Sequence, residues 1–106
     1  MHDDAADYAV LKQQLDRLEV LYAELEKVRS NGSLIEMRSA CYAARQVANP
    51  RYGYAIEQVS RIDRAIKAAG SSSDLSPLHQ AISRLRNALR TLKPCTERTE
   101  NCGEDT

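Results

Sequence analysis

One spacing constrains this chain more than any other feature. Tyr8, Leu11, Leu15, Leu18, Tyr22 and Leu25 recur at intervals of 3, 4, 3, 4 and 3. An α-helix brings such positions onto one side, because about 3.6 residues make a turn; a strand would scatter them over both faces. The 3-4 alternation is the a/d seam of a coiled coil or a bundle helix. Leu21 and Val28 widen the stripe at the neighbouring g positions, which suits a bundle better than an isolated two-stranded coil. The spacing predicts a first helix from about Asp4 to Ser30. Asp3, Asp4 and Asp7 stand at its N-terminal end and Lys27 and Arg29 at the other, as the helix dipole favours. Asn31-Gly32 tolerates a left-handed conformation and is expected to stop it.

Ser33 followed by Glu36 reads as a capping box, so a second helix is expected to start at Leu34. Its seam is Leu34, Met37, Cys41, Ala44 and Ala48. A turn this short makes the two helices an antiparallel hairpin. Asn49-Pro50 interrupts the pattern as a cap followed by a proline. A third helix then runs from Pro50 to Ala69 on Tyr52, Ala55, Val59, Ile62, Ile66 and Ala69. The alternative is one helix from Leu34 to Ala69, kinked at the proline. Gly70 to Asp74 reads as a loop. Ser76-Pro77 repeats the cap-then-proline device, and a last helix follows on Leu78, Ile82, Leu85, Leu89 and Leu92 until Pro94. The expected architecture is all-α: an antiparallel bundle of three or four helices over residues 1–94, with a long N-terminal helix. Residues 95–106 are polar and lack periodicity, which predicts a disordered tail.

Composition narrows the rest. The chain has 106 residues and neither Trp nor Phe, so burial rests on aliphatic side chains and five Tyr. The longest apolar run, Ala40 to Ala44, is too short for a signal peptide or a membrane span. Cys41, Cys95 and Cys102 make an odd count, unlike a disulfide framework, and a cytoplasmic location is expected. The zero net charge hides a pattern. Residues 1–33 sum to −3, residues 34–94 to +6, and residues 95–106 to −3. Arg outnumbers Lys eleven to four. Arg is favoured where a carboxylate or phosphate is gripped bidentately.

Catalytic chemistry finds little support. Cys41 with His79 could form a nucleophile–base pair, but Cys41 lies on an apolar seam and packs there as a small hydrophobe. Cys95 and Cys102 lack zinc-finger spacing, and no phosphate-binding, dinucleotide or zinc-protease motif occurs. No metal, no cofactor and no enzymatic activity are expected.

The expected function is a small protein-interaction module, an oligomeric adaptor, chaperone or inhibitor acting by helix packing. A homo-oligomer, most simply a dimer, is expected to form through Leu11, Leu18, Leu21 and Leu25. The alternative is a nucleic-acid or nucleotide binder using the Arg-rich surface of residues 34–94. On the last helix Arg86, Arg90 and Lys93 lie along one line. The candidate partner- or anion-binding corner is Asn49 to Tyr54. Free backbone N–H groups and Arg51 would attract an anion there, Tyr52 and Tyr54 would offer rings, and Arg45 would approach from the preceding turn. The competing reading makes Tyr52 core and lets the basic faces pair with the acidic first helix.

Overall fold

The computed structural model describes residues 3–71 and 74–92. Helix α1 spans Asp4–Lys27, α2 Asn31–Arg45, α3 Gly53–Ala69 and α4 Ser76–Leu92, with a 3-10 turn at Pro50–Tyr52 leading into α3. Each helix packs against its neighbour in sequence, and α4 closes back onto α1. Short connections make successive helices antiparallel. The result is a closed four-helix bundle, 44 × 28 × 18 Å.

The core is made of the seams that the spacing predicts. Leu11, Leu18 and Leu25 of α1, Met37 and Ala40 of α2, Ala55, Val59 and Ile62 of α3 are all fully buried, and Leu78, Leu85 and Leu89 of α4 are 1% exposed. Small residues at Ala40, Ala44, Ala55, Ala81 and Ala88 keep facing helices close. The expected g-row divides: Leu21 is buried, whereas Val28 is 68% exposed because the helix has already ended.

Three helix boundaries differ from the expectation. The first concerns Asn31-Gly32, which does not stop α1. Val28 and Ser30 are extended, α1 ends at Lys27, and Asn31 and Gly32 form the first turn of α2. No described residue has a positive φ. Ser30, not Ser33, is the cap: its hydroxyl accepts from the Gly32 N–H at 3.1 Å. Both serines carry the same hydroxyl, and the extended backbone at Ser30 decides between them.

The second lies within 34–69, which forms two helices as expected and not the alternative single kinked rod; the boundary that differs is the end of α2. Helix α2 stops at Arg45, and Ala48 is exposed in the connection instead of continuing the seam. Asn49 caps the next turn as expected, its side chain accepting from the Arg51 N–H at 3.0 Å. The third concerns α4, which is capped by Asp74 rather than Ser76. The carboxylate accepts from the Ser76 N–H at 3.0 Å, and that hydrogen bond holds the Asp74 carboxyl below its ordinary range. The tail, 95–106, lies outside the described residues.

Candidate interaction surface

The Asn49 corner is a junction, built from groups far apart in sequence. Asn49 is 5% exposed. Its amide nitrogen donates to the Asp4 carboxylate at 2.6 Å and to the Asp7 carboxylate at 3.1 Å. Tyr52 is fully buried, and its hydroxyl donates to the Asp4 carbonyl at 3.0 Å. Burial pushes the Tyr52 phenol up. The ring belongs to the core and offers no stacking face, which favours the competing reading of this corner. Arg51 donates to the Leu92 carbonyl at the end of α4, 3.1 Å away, and lies 3.8 Å from Asp4. A cation at the start of a helix is mildly unfavourable, but here a carboxylate and the negative end of α4 offset that cost. The backbone N–H of Arg51 is already taken by Asn49. The corner therefore closes on itself, and the expected anion site is filled by the chain's own groups.

The other candidate residues are dispersed. Arg45 turns away from the corner and lies 3.9 Å from Asp63 of α3. Tyr54 is 60% exposed and lines a shallow groove with Arg84, Asn87 and Thr91 of α4. Arg86 pairs with Glu19 of α1. Arg90 and Arg86 line a groove between α1 and α4 with Tyr8, Lys12 and Glu19, and Arg90 has no ion pair among the described residues. Lys93 lies outside the described residues. Leu11, Leu18 and Leu25 are fully buried in the chain's own bundle, so a second chain could meet them only if the bundle opened, whereas Leu21 packs in the core and also lines the groove between α1 and α2. Acidic α1 thus answers part of the basic middle within one chain, through Asp4–Arg51 and Glu19–Arg86.

The open surface lies elsewhere, on α2. Ile35 and Tyr42 are each 68% exposed. They are seven apart, hence on one face, and that face points away from the seam of Met37, Cys41 and Ala44. A groove runs past them, lined by Ile35, Arg38, Ser39, Tyr42, Arg45 and Asp63. Asp63, on α3, is only 15% exposed at its side chain and receives three cations: Arg38 at 3.5 Å, Lys67 at 3.8 Å and Arg45 at 3.9 Å. One carboxylate cannot neutralise three cations, so the rim stays positive. The seam spacing singles out neither Ile35 nor Tyr42. The signal that could have found them is that the apolar residues of this helix exceed one stripe, with Ile35 and Tyr42 off-seam at heptad spacing.

On the α1 side of α2 the sign changes. A second groove is lined by Gln13, Asp16, Arg17, Val20, Glu24 and Glu36, among others. Val20 is 60% exposed there. Lys12 bonds Asp16 at 2.9 Å, and Arg17 stands 4.0 Å from Glu36. Acids outnumber bases on this flank.

Cys41 is 1% exposed, and desolvation pushes its thiol up to about 12. Such a thiol stays protonated at neutral pH and is a poor nucleophile. His79 is exposed and stacks loosely on Tyr22, ring centroids 5.6 Å apart. Among the described residues no cluster of three His, Cys, Asp or Glu could hold a metal, and no helix is long and apolar enough to cross a membrane.

These features define a small antiparallel four-helix bundle whose α2 leaves Ile35 and Tyr42 open to solvent. No protein-family model, no curated protein and no solved structure matches the chain.

Proposed function

We infer that this protein is a non-enzymatic protein-interaction module whose binding face is the outer side of α2. The observation that supports the reading is the pair Ile35 and Tyr42, each 68% exposed beside an Arg-rich rim. Large apolar side chains do nothing for the bundle when they face water. An exposed Tyr flanked by Arg is the composition of an interface hot spot. The rim selects acidic partners, so the natural ligand class is a helix with one apolar and one acidic face. A cytoplasmic location belongs to the same reading, which treats Cys41 as a packed, reduced thiol. The roles of adaptor, chaperone and inhibitor all follow from covering such a partner helix.

The test is an NMR titration with a synthetic helical peptide carrying leucines on one face and glutamates on the other. Shifts confined to the amides of residues 35–46 and 63–67 would support the face. Unchanged spectra at millimolar peptide would overturn it.

A second reading has its own observation. Helix α4 contains no Asp or Glu, and Arg61, Arg64, Arg84 and Arg90 have no ion pair among the described residues. This favours a phosphate-bearing ligand on the α3–α4 side. Retention on phosphocellulose that falls with salt, and falls further in Arg61→Ala/Arg84→Ala, would support it.

A further inference from the structure

We propose that the partner of the α2 face is a second copy of this chain, paired with α2 parallel to its twin. The proposal rests on the reading of α2 as a protein-binding face and names its occupant. That face asks for an apolar surface with an acidic border. The chain carries one: Val20 stands exposed on the α1 flank of the same helix, bordered by Glu24 and Glu36. The α3 flank is the positive one, with Arg38, Arg45 and Lys67 around Asp63.

Opposite flanks on one helix determine the orientation of a symmetric pair. Closed dimers have a two-fold axis. If that axis runs along α2, the two helices are parallel, and the acidic flank of each copy faces the basic flank of the other. Ile35 then meets the second copy's Ile35, and Tyr42 meets its Tyr42. If the axis crosses α2 at right angles, the helices are antiparallel. Acidic then faces acidic and basic faces basic, which costs Coulomb energy at both borders. Charge therefore selects the parallel pair. A contact one helix wide falls short of the roughly 800 Å² per partner of a stable complex. The dimer is accordingly weak, reversible and sensitive to salt.

Sedimentation equilibrium on the full chain tests the stoichiometry, and cross-linking tests the orientation. The expected result is a monomer–dimer equilibrium in the micromolar range. It weakens at least about tenfold in Tyr42→Arg, an exposed substitution checked for unchanged helicity by circular dichroism. In a Cys95→Ser/Cys102→Ser background, Ile35→Cys alone is expected to form a disulfide dimer on mild oxidation. Three results would overturn the proposal: a monomer at millimolar concentration, a dimer indifferent to Tyr42→Arg, or a cross-link seen only when Ile35→Cys and Tyr42→Cys chains are mixed, which reports the antiparallel pair. The peptide titration separates the two levels. A chain that binds the peptide on α2 yet stays monomeric keeps its binding face and loses this partner, whereas a chain that does neither loses both.

Discussion

The Asn49 corner and the outer face of α2 hold similar side chains and use them in opposite ways. At the corner an Asn, an Arg and a Tyr spend their hydrogen bonds inside the chain, on Asp4, Asp7 and Leu92. On α2 a Tyr and an Ile face water, and only the arginines beside them are engaged, at 3.5 and 3.9 Å from a shared carboxylate. The corner holds α1, α3 and the end of α4 together. On the α2 face Arg38 and Arg45 reach across to Asp63 of α3, while Ile35 and Tyr42 face water. A side chain's chemistry thus says what it could bind, and its saturation by the fold says whether that capacity is left over.

The contrast fails if the corner tolerates change, so the largest expected effect lies there. Asn49→Asp replaces a buried donor with a carboxylate facing Asp4 and Asp7. A loss of about 3 kcal/mol or more in urea unfolding is expected, the usual scale for an uncompensated buried charge. A loss under about 1 kcal/mol would make the corner dispensable.

The next effect is on pH. Burial raises the Cys41 thiol to about 12 and raises the Tyr52 phenol. For an acid raised in the folded state, the neutral form is the one that folding favours. Its contribution is complete below the unfolded value and is lost as pH climbs toward the folded one. Stability should therefore hold to about pH 9 and fall by about 2 kcal/mol by about pH 10.5. In Cys41→Ala that alkaline slope should shrink, leaving the part due to Tyr52, Tyr22 and Lys12, which are raised as well. An identical slope in both proteins would remove Cys41 from the account.

Tyr52→Phe deletes only the hydroxyl that donates to Asp4. About 1 kcal/mol of stability should go, with the carbonyl of Asp4 left short of a donor. The smallest effects probe the contrast from the other side. Ile35→Ser and Tyr42→Ser should each change unfolding by less than about 0.5 kcal/mol, as surface substitutions do. A large destabilisation from either would mean that the α2 face serves the bundle after all.

The helices and their buried stripes are legible in the residue order alone, because periodicity is local. Tyr8, Leu11, Leu15 and Leu18 share a side of α1 whatever they meet. Proline at Pro50 and Pro77 sits in the first turn for the same local reason. Two competing caps, Ser30 and Ser33, already lie beyond local reasoning, since each is the same residue type and could start the helix at its own position. Candidate sites are less legible still. The bonds that occupy Asn49, Arg51 and Tyr52 span 41 to 48 residues of sequence. The exposure of Ile35 and Tyr42 depends on which sides of α2 are covered by α1 and α3. Chain order therefore specifies four amphipathic helices and the side each turns inward, through backbone geometry and the removal of apolar surface from water. Which polar groups end up saturated, and which apolar ones stay open, is settled when the helices pack. Both are properties of neighbours, and those neighbours are dozens of residues away along the chain.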